Sequence, residues 1–84
     1  MNVVELADLL ESDGYDRRWY SFDRKNPPIE GYILERVGAR WTVFYFERGD
    51  TRDVANFENE SDACDFFYQR MKEGFGSTLG RIKH

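Results

Sequence analysis

Two side chains in this chain of 84 residues could begin nucleophilic or metal chemistry, and each stands alone. Cys64 is the only cysteine and His84 the only histidine, and His84 is also the last residue. A cysteine nucleophile needs a base or a cation to hold its thiolate, and a structural zinc site needs four ligands. Cys64 falls in the first turns of a predicted helix, beside Ala63 and Phe67, and reads as a small packed hydrophobe. With one cysteine, no disulfide can form within the chain. The glycines mark turns and element ends, and none of them builds a phosphate loop. No catalytic residue, metal or cofactor is expected.

What the chain has in quantity is charge. Sixteen acids face 12 bases, a net charge of −4. Residues 75–84 hold Arg81 and Lys83 and no acid, which leaves −6 on residues 1–74. A surface of that sign repels phosphate backbones, so nucleic acid is not an expected ligand. The same field draws in a basic protein and speeds encounter with it, although simple solubility also explains it. Asp50, Asp53, Glu58 and Glu60 crowd the last predicted strand and its exit, and are the expected electrostatic contacts with a partner. Glu47 and Arg48, just before them, would fix the register of docking. The turn Glu47-Arg48-Gly49-Asp50 also has a purely local reading, because a glycine closes a hairpin by taking a positive φ. Its Arg-Gly-Asp tripeptide is an adhesion signal elsewhere, but three residues recur by chance and nothing in the sequence suggests export.

These residues must be positioned by a small set of elements. "MNVVELADLLESDG" predicts a helix, with Asn2 and Glu5 spaced as a capping box, Val3, Leu6, Ala7 and Leu10 on one stripe, and Gly14 as the stop. Trp19 to Phe22 suit a short strand, and Asn26-Pro27-Pro28 breaks regular structure after it. Three β runs follow, Tyr32–Val37, Trp41–Glu47 and Thr51–Phe57, joined by connections short enough to make them an antiparallel meander. "NESDACDFFYQRMKEG" predicts a second helix, capped by Asn59 with Asp62 three residues on, and with Ala63, Phe67 and Met71 turned inward. The expectation is one α+β domain over residues 1–74, ordered α-β-β-β-β-α, with an antiparallel sheet of three to four strands and both helices on one face. Residues 75–84 are expected to form a flexible basic tail.

The central strand raises a difficulty. Trp41, Val43 and Tyr45 point one way, Thr42, Phe44 and Phe46 the other, so both faces are largely apolar. One face meets the helices. The second must be covered by the tail, by the Pro-Pro loop or by a second copy of the chain, or be left as an aromatic patch. The chain holds 14 aromatic residues, and at roughly 150–250 Å² of burial each an 84-residue domain is expected to leave some of that surface outside. Exposed aromatic patches with polar rims mark protein–protein sites.

Tyr20-Ser21, the strand Tyr32–Glu35, the Trp-x-Val-x-Tyr run Trp41–Tyr45 leading into Glu47-Arg48-Gly49, and Phe57 before the capped Glu60–Cys64 turn form a recognisable series. Through them the stretch from Tyr20 to Met71 resembles a family of small bacterial immunity proteins encoded beside polymorphic toxins. Arg24-Lys25-Asn26-Pro27-Pro28 replaces a glycine-rich loop, and Phe46 a small polar residue. The resemblance implies an acidic protein that docks on a basic toxin, often a nuclease, and blocks substrate entry. The alternative is a small regulatory or scaffold subunit, with a homodimer through the aromatic face as one form of it. A third idea, single-stranded RNA stacked on strand aromatics, has only Arg17-Arg18-Trp19-Tyr20 in its favour. The first residues do not read as a signal peptide, so none is expected, and no run reaches about 20 apolar residues; a cytoplasmic protein with no membrane partner is expected.

Overall fold

The computed structural model describes residues 1–74. The expected tail, 75–84, and His84 lie outside the described residues. The first helix, α1 (Val3–Ser12), is built as its sequence dictates. The Asn2 side chain accepts the Glu5 N–H and the Glu5 carboxylate accepts the Asn2 N–H, both at 2.9 Å. At its far end Gly14 takes φ +86, the Gly14 N–H donates to Glu11 O at 3.0 Å, and the Tyr15 N–H donates to Leu10 O at 3.0 Å. Those two bonds close a Schellman motif, and Leu10 and Tyr15, which it brings together, are both buried.

A short 3₁₀ turn, Arg17–Trp19, leads into β1 (Tyr20–Ser21). Then come β2 (Glu30–Val37), β3 (Arg40–Glu47), β4 (Asp50–Phe57) and α2 (Glu60–Gly74). The sheet order is β1-β2-β3-β4. Three strands form the expected antiparallel meander, with two-residue turns at Gly38-Ala39 and Arg48-Gly49. Arg48 and Gly49 both take positive φ, +53 and +81, as a type I′ hairpin requires. The fold is α+β as expected, but the sheet is mixed. β1 runs parallel to β2, pairing Tyr20 with Tyr32 and Ser21 with Ile33. Trp19, expected in that strand, belongs to the 3₁₀ turn instead.

A parallel neighbour forces the chain to return before β2 begins, and residues 22–29 make that return: Phe22 still packs on Phe67 of the helix side at 5.9 Å between ring centres, and Arg24 crosses to the face away from the helices. The loop is tied by its own polar groups: Ser21 Oγ donates to the carbonyls of Asp23 and Asn26, and the Asp23 carboxylate accepts from Lys25 N and Asn26 Nδ2. Arg24 anchors it to the sheet. Its guanidinium lies 4.9 Å from the centre of the Phe44 ring, and its Nε is 2.6 Å from a Glu35 carboxylate oxygen. The face that needed a cover is therefore closed by the protein itself, leaving Ile33 fully buried and Phe44 nearly so.

The opposite face carries the main core. Leu6 and Leu10 of α1 and Ala63, Cys64, Phe67 and Met71 of α2 pack on Tyr20, Tyr32, Leu34 and Val43. A β-bulge in β4 completes it. Val43 pairs with Ala55 but Phe44 pairs with Asp53, so Val54 is an extra residue. The bulge lets Val54 and Phe57, an odd number of positions apart, both reach the core.

The return brings β2 hard against the 3₁₀ turn. Gly31 has φ +147, and a β-carbon there would lie 1.8 Å from the Trp19 carbonyl oxygen. By contrast, Gly38 has φ +65 with nothing near its missing β-carbon. Gly31→Ala is expected to lower unfolding free energy by about 3 kcal/mol or more, from strain and steric overlap together. Gly38→Ala should cost about 1 kcal/mol, from strain alone. Urea titrations of the two variants decide it, and equal losses would mean the close approach at Trp19 is not formed.

Candidate functional site

The two helices lie side by side and start at the same end of the molecule. The Glu60 carboxylate accepts the Val3 N–H at 2.8 Å, and the N-terminal ammonium donates to Ser61 Oγ at 3.1 Å. At the other end, the Tyr68 hydroxyl donates to the Asp13 carboxylate. Parallel helices place like dipole ends together, and one carboxylate between two helix N-termini offsets that repulsion. Asn59 caps α2, accepting from the Asp62 N–H at 2.8 Å, as the sequence predicts.

This pairing gathers charge into one layer. Residues 1–16 and 58–74, the helices and their ends, hold ten acids and two bases, a net charge of −8. Residues 17–57, which build the sheet and its loops, hold six acids and eight bases, a net of +2. Some helix-layer acids are engaged in structure: Glu5 in the capping box, Asp13 with Tyr68, Asp16 with Arg18, Glu60 with Val3 and Asp62 with Asn59. Asp8, Glu11, Glu58 and Asp65 are exposed and have no protein partner among the described residues.

The residues singled out from sequence divide between the two layers. Glu47, Arg48, Asp50 and Asp53 sit at the β3–β4 hairpin, where arginines alternate with the acids: Asp50 lies 4.0 Å from Arg52, both exposed. Asp53 is on the loop-covered side of the sheet opposite Phe44, while Glu47 and Asp50 face each other across the turn on the helix side. Glu58 and Glu60 belong to the helix layer, where the Glu60 carboxylate is held against α1. The hairpin therefore carries little net field, and the helix layer carries most of it. Asp8, Glu11 and Asp65 were not singled out by spacing. Counting charge element by element, rather than along the chain, is the signal that finds them.

The aromatic surface expected outside is not exposed outright. Among the described residues the exposed large hydrophobics are Val4, Ile29 and Val37, none of them aromatic. Rings share cover with one another instead. Trp41 pairs across the strands with Phe57, and Phe57 packs on Phe66 at 5.2 Å between ring centres. The Arg70 guanidinium lies 5.5 Å from the Phe66 ring and 5.9 Å from the Tyr32 ring. Tyr32 in turn meets Tyr45 edge-on at 5.0 Å. Trp41, Tyr45, Phe57 and Phe66 remain half-buried, a strip along the side of α2.

Cys64 is fully buried in the core, and burial pushes its thiol up to about 11, where the unreactive protonated form prevails. No group of three or more metal-ligating side chains is found among the described residues. No helix among them is long and apolar enough to cross a membrane. Comparisons with protein-family models, with curated proteins and with solved structures find no match to this chain.

Two phenols report on the layers. Tyr68 is pushed up to about 12, first by its hydrogen bond to Asp13, and Tyr45 to about 12, first by burial and then by its hydrogen bond to Glu30. A folded-state value above the unfolded 10.0 means the folded form holds its proton more tightly. That contribution is complete below about pH 10 and is lost as pH rises toward about 12. Stability measured by urea titration should fall across that window. Asp13→Asn should lower the Tyr68 value toward 10, read as phenolate absorbance, and leave Tyr45 unchanged. An unaltered titration would mean the Tyr68–Asp13 bond is absent in solution.

Proposed function

We propose that this chain is a stoichiometric protein inhibitor, an immunity protein that binds a basic toxin and covers it, and that its acidic helix layer is the docking face. The observation that carries this reading is the segregation of charge, with −8 on the helix layer and +2 on the sheet. Four free carboxylates on one side of a small protein steer a basic partner and orient it before contact. The resemblance of Tyr20–Met71 to small bacterial immunity proteins points the same way. The alternative, a small regulatory or scaffold subunit or a homodimer, would use the half-buried strip of Trp41, Tyr45, Phe57 and Phe66, whose aromatic and arginine composition suits a protein contact.

The test is co-expression with the product of a neighbouring toxin-like gene carrying a basic C-terminal domain. That domain alone should arrest growth, and this chain should restore it; no protection would remove the immunity reading. The face is tested separately with the purified pair. Asp8→Lys, Glu11→Lys and Asp65→Lys together should slow association by roughly tenfold or more at low salt and flatten its salt dependence. Asp50→Lys with Asp53→Lys should change it by less than about threefold, since Arg48 and Arg52 already offset those acids. The reverse ranking would move the docking face to the hairpin.

A further inference from the structure

Arg17, Arg18, Trp19 and Tyr20 are the longest unbroken run of cations and rings in the sequence, and the acidic helix layer makes no use of them. Their geometry separates the two arginines. Arg18 is held by Asp16 at 3.2 Å. Arg17 is exposed, with no ion-pair partner among the described residues. It lines a cavity of about 290 Å³ between α1 and β1, together with Ala7, Tyr20, Ser21, Phe22 and Asn26.

The two end strands of the sheet differ. β4 is protected against further pairing by Asp50, Arg52 and Asp53 and by its bulge, the devices that keep an open edge from recruiting another strand. β1 has neither a charge nor a bulge within it, and is bonded to β2 alone. Its shortness limits it to a few backbone bonds, so an incoming strand needs side-chain contacts as well. The cavity offers them: the rings of Tyr20 and Phe22, the small Ala7 that lets a neighbour approach α1, and one guanidinium. The Ser21 hydroxyl is engaged with the carbonyls of Asp23 and Asn26, so charge recognition falls to Arg17.

We propose that this groove accepts an extended peptide segment of a partner protein that carries a single carboxylate, added to the sheet beside β1 with its acid on Arg17. Backbone pairing supplies the direction and the arginine supplies the register. A free small anion would leave the two rings and the strand edge unused. A densely acidic segment would be repelled by Glu11 and Asp16, which lie within electrostatic reach of Tyr20. The inference is independent of the toxin-binding proposal, since it concerns the opposite sign of charge and the sheet edge.

The probe is the blocked peptide acetyl-Thr-Val-Glu-Val-Thr-amide, with its Gln-for-Glu twin as control, titrated into the ¹⁵N-labelled full chain. The glutamate peptide should shift the amides of Ala7, Tyr20, Ser21 and Phe22. It should bind about fivefold to tenfold more tightly than the glutamine peptide, the increment of one charge-assisted pair. Arg17→Gln should erase that difference while the rest of the spectrum and the melting temperature stay as in the parent. Shifts at the amides of β4, equal binding of the two peptides, or no shift along β1 at millimolar peptide would each overturn the proposal.

Discussion

One carboxylate holds the helix layer together. Glu60 opens α2 and also accepts the first free N–H of α1, so a single negative charge stands at two helix N-termini. Without it, two aligned helix dipoles would repel where they begin, and the Val3 N–H would lack its partner in the protein. With it, the helices lie parallel, and Leu6, Leu10, Ala63, Phe67 and Met71 can share one buried seam. The Tyr68–Asp13 bond closes the opposite end of the same pair.

The parallel pairing has an electrostatic consequence. Both helices turn their polar sides outward, and the acids on those sides outnumber the bases, seven to two. The other basic residues among the described ones belong to the sheet and its loops. A small protein with a modest net charge thus becomes strongly dipolar. The overall balance of −4 understates the field that a partner would meet on one side and misstates its sign on the other.

The sheet solves a separate problem. A central strand that is apolar on both faces needs two covers, and the two α-helices among the described residues both lie on one side. The return from β1 to β2 supplies the second cover, with Arg24 spread over Phe44 and bound to Glu35. That device depends on β1 being parallel, because an antiparallel β1 would need only a tight turn and would leave Phe44 open. It depends equally on Gly31, which lets β2 pass the Trp19 carbonyl.

Local chemistry was fully legible in the sequence: the capping box of Asn2 and Glu5, the stop at Gly14, the two hairpin turns and the Asn59 cap are set by residues within a few positions of each other. The inward stripes of both helices and the strand order of the meander followed from periodicity. Three things were decided only by tertiary structure. The direction of β1 depends on a long-range pairing with Tyr32 and Ile33, and spacing alone does not encode it. The bulge at Val54 was written in the sequence as an odd interval between Val54 and Phe57, but it gains meaning only once both residues have a common core to reach. The location of the negative field needed the layers themselves: the arginines beside Asp50 and Asp53 are their neighbours along the chain, whereas Asp8 and Asp65, 57 residues apart, come to share one layer only when the helices pair. Sequence fixes what neighbours along the chain do to one another, and packing determines which distant charges add.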